Sequence, residues 1–336
     1  MDALSQTLSV VRMTGAIFIN AHFTAPWCYR SPAAASAASI LEPTAERIVI
    51  FHFITEGECF VEMPDGSVTH LKAGDVVIFP GGEAHRMSSQ PGLAAAAPAR
   101  PLEEVLARRP RRLSYGGGGA ITRVVCGYMA CDERLAHMLL GGLPSPLRVN
   151  VRGSSSGSWL ESSLNYAIQE ARSPRPGGNA VLSKLAEVLF IEVLRLFMQK
   201  PQGAQRGWLA GVSDRIVGAA LKALHAQPAH PWTLEELARH IGSSRSVLAE
   251  RFQGLVGTTP MQYLTQWRML LAANLLSRSQ APLAFIAEQV GYQTDTAFSR
   301  AFRREYGAPP AAWRRSRTVR SHATPDAASG GNEACR

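Results

Sequence analysis

With 336 residues, 46% of them hydrophobic, and a formal charge of +9, the chain can bury two ordinary cores, and none of its apolar runs approaches the roughly 20 residues of a membrane helix. The excess charge is uneven: residues 201–336 carry 16 Lys plus Arg against 9 Asp plus Glu, +7 of the total, which suits phosphate neutralisation by the C-terminal part. Five cysteines in a chain of this length do not make a disulfide scaffold, and the start MDALSQTLSVVRMTGAIF lacks the basic region, long apolar core and cleavage site of a secretory signal. Free thiols, a cytoplasmic location and no membrane partner are expected.

Residues 1–150 read as strands. Arg47–Ile54 and Gly57–Met63 are β-rich runs, Pro64, Asp65 and Gly66 supply turn chemistry, and Asp75–Phe79 is a third run that stops at Pro80. Short strands separated by glycine turns predict a small barrel or sandwich. The run GDVVIFPGGEAH (74–85) resembles the second conserved motif of cupin barrels, and FITEGECFVEMPDG (53–66) is similar to the strand, turn and strand of the first. Metal-binding cupins carry a paired-histidine ligand set on an early strand, whereas LEPTAERIVI (41–50) holds no histidine. His85 is left without an evident partner set, and His52, sharing an inward face with Ile50 and Ile54, leaves a divalent site short of ligands. The expectation is no metal and no cofactor, in a barrel still able to bind a small effector.

The stretch PGLAAAAPARPLEEVLARRPRRLSYGGGGA (91–120) reads as an irregular insertion, with RRPRR (108–112) a solvated loop rather than a DNA contact. Ile121–Met129 resumes a strand and carries Cys126, next to Gly127 and five residues before Cys131. A thiol reacts only when partly thiolate and reachable, and Arg123, Arg134 and His137 are close enough in sequence to lower the pKa of Cys126. Oxidation there, followed by capture by Cys131, is the switch this would allow; the plainer reading is a small buried hydrophobe.

Periodicity turns helical over Ser158–Arg172 and Ala180–Gln199, split by SPRPGGN (173–179). Leu182, Leu185, Leu189, Val193 and Leu196 make a broad apolar stripe that suits either covering the barrel or pairing subunits. Gln202–Gly211 reads as a linker.

From Ser213 to Arg315 two strand-free segments repeat one pattern of short helix, glycine and second helix. In the first, Thr233 and Glu236 have capping-box spacing, Leu234, Leu237, Ala238 and Ile241 share a face, and Gly242 permits the turn. The helix beginning at Ser243 or Ser244 turns Val247, Leu248, Phe252 and Leu255 inward, leaving Arg245, Ser246, Ala249, Glu250 and Gln253 outside. Pro260–Ser277, with Leu264, Trp267, Leu271 and Leu275 on one side, is a continuous spacer helix. In the second unit Pro282 suits a first helical turn, Leu283, Ile286, Ala287 and Val290 form the inward stripe, Gly291 makes the turn, and a helix covers Asp295–Tyr306. There Phe298 and Phe302 point inward, and Thr296, Ser299, Arg300, Arg303 and Arg304 point out. The polar tail beyond Arg317 is expected to be disordered.

At these residues the segment resembles the DNA-binding domain of the AraC/XylS family of bacterial transcription regulators. GYQTDTAFSRAFRREYGAPPAAWR (291–314) follows the family signature almost throughout, with IGSSRSVLAERF (241–252) as support. The match departs at Ser246, Ala249 and Glu250, where members often carry bulky or basic residues. The opening MDALS and the segment around Cys126 are similar to the cupin sensor in one branch of the family. The resemblance implies an α+β protein with a cupin-like β-barrel over 1–150, a helical dimerisation segment over 151–204, an all-α double helix-turn-helix over 205–317 and a tail from 318. It also implies a homodimer on paired half-sites of double-stranded promoter DNA, a contact with RNA polymerase, and a small-molecule effector or oxidant acting through the barrel. Phosphate contacts fall to Arg303, Arg304, Arg268 and helix starts, and base reading to Thr296, Ser299 and Arg300, with Arg245 and Ser246 weaker; Ala249, Glu250 and Asp295 complete the DNA-binding candidates. His52, His85, Cys126 and Cys131 are the sensor candidates. The alternative is a cupin-type metal-dependent enzyme with a helical recruitment domain, and the missing paired histidines argue against it.

Overall fold

The computed structural model describes residues 2–10, 13–42, 45–94, 112–153, 157–172, 175–200 and 206–322. Two compact units emerge: Val11–Ser213, and Asp214 onward together with the first ten residues. The break therefore falls later than the expected linker, and the helices of 151–204 belong with the strands.

In the first unit β1 (Met13–Thr24), β3 (Arg47–Glu56), β6 (Asp75–Phe79), β8 (Arg112–Gly116), β9 (Ile121–Cys131) and β10 (Leu147–Asn150) form one sheet in the order β10-β6-β3-β9-β1-β8. A second sheet runs β2-β7-β4-β5, from β2 (Cys28–Ser31), β4 (Glu58–Glu62), β5 (Val68–Lys72) and β7 (His85–Ser88). The strands make two separate sheets, so the expected barrel is not closed. Ile50, Ile54, Val61, Leu71, Phe79, Met87 and Val124 fill the core between them. The helices α2 (Ala34–Leu41), α3 (Glu133–Leu140), α4 (Gly157–Arg172), α5 (Gly178–Met198) and α6 (Trp208–Ser213) complete the unit. The outer face of the larger sheet is covered by α4 and α5, where Leu160, Leu164, Leu189, Phe190 and Val193 surround Phe51, Phe53, Val76 and Ile78. With both faces covered, β3 is buried at seven consecutive residues, Ile48 to Ile54, rather than alternately. The leucine stripe of α5 is thus largely spent inside its own unit: Leu189, Val193 and Leu196 are buried there.

The second unit is helical. Asp214, Thr233, Ser244, Thr259 and Thr294 cap α7 (Arg215–Ala226), α8 (Leu234–His240), α9 (Arg245–Val256), α10 (Pro260–Arg278) and α12 (Asp295–Tyr306) with side-chain oxygens. Each cap is worth about 1 kcal/mol. The reciprocal capping box sits at Thr259 and Gln262, not at Thr233, because the Glu236 carboxylate binds His230 instead, at 2.8 Å. Pro282 caps α11 (Leu283–Gln289) without a side-chain bond. Phe298 and Phe302, both fully buried, close the second helix-turn-helix core against Ile286, Ala287 and Val290. Helix α13 (Pro310–His322) carries regular structure past residue 317, where disorder was expected; residues 323–336, like the insertion at 95–111, lie outside the described residues.

The N-terminal stretch was read as strand, yet it is a helix, α1 (Ala3–Val10), that packs on α7. Ala3, Leu4 and Thr7 are buried there, and Asn274 of α10 donates to the Val10 carbonyl. Residues 205–320 alone consequently omit part of the DNA-binding unit's own packing.

Candidate functional site

Two helix-turn-helix pairs, α8 with α9 and α11 with α12, stand at either end of α10, whose 19 residues span about 28 Å. Both turns use a left-handed glycine, Gly242 at φ 67° and Gly291 at φ 79°. The two turns differ in surroundings. Nothing lies within 4 Å of where a Gly242 Cβ would be, while one on Gly291 would meet the Ala229 carbonyl oxygen at 2.6 Å. The second turn is therefore pressed onto the loop that leads into α8. Arg268 fastens the same place: its guanidinium donates to Pro228 O at 2.6 Å and His230 O at 2.8 Å and lies 5.9 Å from the Tyr292 ring centre. Sequence reading made Arg268 a phosphate contact; its geometry instead makes it a staple between the two helix-turn-helix pairs. Arg314 of α13 makes a bond local to the second pair, donating to Ala281 O in the loop before α11 at 2.7 Å.

On α12 the side chains of Asp295, Thr296, Arg300, Arg303 and Arg304 are exposed and Ser299 is half-exposed, forming a basic face opposite the buried phenylalanines. On α9 Arg245, Ser246 and Glu250 are exposed and Ala249 is half-buried. Val247, expected inside, is 44% exposed, because only Leu248 and Phe252 point directly into the core. Arg251 is drawn off the reading face by Asp214, at 2.7 Å, the same carboxylate that caps α7.

The first unit holds a second chemical feature. His52 on β3 and Cys126 on β9 are cross-strand partners, and His52 Nδ1 lies 2.9 Å from Cys126 Sγ. On its other side His52 Nε2 is 2.9 Å from His85 Nε2, and His85 Nδ1 is 2.9 Å from the Glu83 carbonyl. Burial holds His85 down to about 4, and burial with His85 alongside holds His52 well below its ordinary value, so both rings are neutral at pH 7. One hydrogen pattern then follows. The Glu83 oxygen can only accept, so His85 carries its hydrogen on Nδ1 and accepts on Nε2; His52 donates from Nε2, and its bare Nδ1 accepts the Cys126 S–H. The chain ends in a cavity of about 20 Å³, room for about one water, lined by Ile19, Phe23, Tyr29, Ile50, Met87 and Val124.

Two sensor expectations change here. Burial pushes the Cys126 thiol up to about 12, and Arg123, expected to lower it, is paired with Glu56 at 2.6 Å at the surface. Cys131 cannot reach Cys126: five residues along one strand put them about 17 Å apart on opposite faces, against the 7 Å limit for a disulfide. Gly127, next to Cys126, is the seat of the Phe51 ring, which a Cβ would meet at 2.0 Å. His52, His85 and Cys126 do not converge on one point, and no group of three or more His, Cys, Asp or Glu among the described residues is placed to hold a metal ion. Sequence reasoning missed the Glu83 carbonyl and Tyr29, since neither has a local signal linking it to the histidines.

These features agree with known proteins. Residues 2–199 match a cupin family and residues 237–316 a helix-turn-helix family. An AraC-like transcription regulator of Streptomyces lividans is 33% identical over 82% of this chain and 89% of its own length. The transcriptional regulator AlkR of Acinetobacter baylyi is 29% identical over 94% of this chain and 99% of itself, and the RCS-specific activator RclR of Escherichia coli 29% over 94% and 97%. With a cupin unit at one end and a paired helix-turn-helix at the other, the chain belongs to the AraC-like family of transcription regulators.

Proposed function

We propose that the protein regulates transcription from the cytoplasm by coupling the state of the Cys126 thiol to sequence-specific binding of promoter DNA. The observation that carries this is the chain Cys126–His52–His85–Glu83, which aims an unprotonated imidazole nitrogen at the thiol hydrogen. A thiol pushed up to about 12 holds almost no thiolate at pH 7, and the burial that lowers His52 also weakens it as a base, so the sulfur reacts only as its proton passes to the His52 Nδ1 aimed at it. The cavity admits an oxidant of very few atoms, and the E. coli relative's designation as RCS-specific is in keeping with a reactive small molecule. With hydrogen peroxide the sulfur takes one oxygen to give a sulfenic acid and the peroxide is reduced to water. A cupin enzyme finds less support, since the relatives are named transcription regulators and the two histidines and the thiol are not arranged as ligands of one ion.

On DNA, Arg300 reads guanine while Arg303 and Arg304 hold phosphates, and the protein works as a homodimer in contact with RNA polymerase. Because the α5 stripe is mostly buried, pairing would use its other side, where Val181 and Val188 are exposed; sedimentation as a monomer at tens of micromolar would contradict it. Arg300→Ala should lose about 1–3 kcal/mol of preference at one base step, while Arg304→Ala weakens all duplexes alike and flattens the salt dependence. Peroxide at near-stoichiometric amounts should change the DNA affinity of the parent and leave Cys126→Ser unchanged. An equal response in both would refute the sensor.

A further inference from the structure

The two recognition helices present different chemistry to a major groove. The outward side of α12 is rich in donors: Thr296, Ser299, Arg300, Arg303 and Arg304. The outward side of α9 has a carboxylate, Glu250, a hydroxyl, Ser246, and two aliphatic groups, Val247 and Ala249. Its remaining cations stand aside, Arg251 in its ion pair with Asp214 and Arg245 at the first helical position, where it suits a phosphate. Leu248 and Phe252 are completely buried and fix which side faces out. Among the described residues no ion pair is formed by Glu250, and Val247 is an apolar side chain left 44% exposed.

We propose that α9 reads pyrimidines: Val247 packs on a thymine methyl, and Glu250, its i+3 neighbour on the same face, accepts a hydrogen bond from a cytosine amino group. This rests on the DNA-binding reading and names what the first helix-turn-helix recognises. Base edges in the major groove are met by the N-terminal part of a recognition helix, and Val247 and Glu250 are its third and sixth residues. They rise about 4.5 Å apart, slightly more than one base-pair step, so the two contacts fall on neighbouring positions. Guanine shows only acceptors in that groove and repels a carboxylate. Adenine offers an amino group, but its N7 lone pair lies next to it; cytosine offers the amino group without that neighbour. A carboxylate also lowers the general affinity of α9 for phosphate, so this helix contributes discrimination while the arginines of α12 contribute attraction. The departures from bulky or basic residues at Ser246, Ala249 and Glu250 are then a change of code and not a loss of reading.

The test uses the full chain. A preferred duplex is selected from random sequence, and the half-site whose preference survives in Arg300→Ala is assigned to α9. Each thymine there is replaced singly by deoxyuridine, which removes only the methyl group. At one position the parent should lose about fourfold in affinity, the worth of one buried methyl, and Val247→Ala should lose nothing further from the same replacement. Glu250→Gln should move the preference at a neighbouring position from cytosine towards adenine, by about tenfold in relative affinity. Both side chains are exposed, so neither variant disturbs the core. Deoxyuridine tolerated at every thymine of that half-site, or an unchanged cytosine preference in Glu250→Gln, would overturn the proposal while leaving the Arg300 half-site intact. A chain that selects no duplex would instead overturn the DNA-binding reading beneath it, and Arg300→Ala would then alter nothing.

Discussion

Gly291→Ala is expected to cost far more than Gly242→Ala, although both glycines occupy the same turn in their respective helix-turn-helix pairs. Both have positive φ, so any side chain adds about 1–2 kcal/mol of backbone strain. At Gly242 that is the whole cost, because the space beside it is open. At Gly291 the new methyl would lie 2.6 Å from the Ala229 oxygen and 2.7 Å from its Cα, so the loop must move and Arg268 must release Pro228 O or His230 O. Overpacking of this kind costs about 1–3 kcal/mol more. The functional effect follows from position. That loop leads into α8, so displacing it turns one recognition helix against the other, and a duplex carrying both half-sites should lose affinity while a half-site for α12 alone loses little. Thermal melts and binding to single and paired half-sites measure both parts. Equal melting shifts for the two variants, or equal losses on both duplexes, would show that the contact at Ala229 does not set the spacing.

Acid is expected to destabilise both units from about pH 6.5 downward. His85 is held down to about 4 and His225 to about 3, chiefly by burial, and His52 is lowered in the same way. A buried neutral histidine contributes nothing extra above its unfolded pKa of about 6.5; below it the unfolded chain takes a proton that the folded chain refuses. Stability therefore falls as pH drops from about 6.5 toward 4, at about 1.4 kcal/mol per pH unit for each such ring, or about 2 kcal/mol between pH 7 and 5. His52 and His85 face each other, so the pair acts as one coupled group rather than as two independent ones. His225 sits elsewhere, stacked 3.8 Å from Trp267 and 2.7 Å from the Tyr263 hydroxyl. Melts at pH 7 and 5 should show the loss in the parent, a smaller loss in the cupin unit of His85→Gln, and an unchanged loss in the DNA-binding unit of that variant. The same acid response in both units of His85→Gln would remove the His52–His85 pair as its cause.

The DNA-binding unit was legible in the sequence because its signals are local. The 3.6-residue stripes around Phe298 and Phe302, the cap at Thr233 and the turn glycines each act within a few residues, so α10 and α12 appear with nearly their observed bounds. Val247 shows the limit of the same method. An apolar residue at the edge of a stripe faces in or out according to what packs beside it, and at α9 only Leu248 and Phe252 find the core. The cupin motifs located β3, β4 and β6 but not β1 or β8, whose pairing spans about ninety residues of chain.

What the amino-acid order determined by itself was therefore the family, the two-part organisation, the outward chemistry of α12 and the presence of His52, His85 and Cys126 as candidates. Tertiary structure alone decided their relations. Pairing of β3 with β9 put His52 against Cys126, the Glu83 carbonyl set which nitrogen faces the thiol, and strand parity carried Cys131 to the opposite face. The same holds for Arg268, a free cation in sequence and a staple in the fold, and for α1, whose partner α7 lies some two hundred residues further along the chain. Periodicity reports which side of an element is apolar; what that side meets is set by contacts between distant segments, and those contacts leave no local mark.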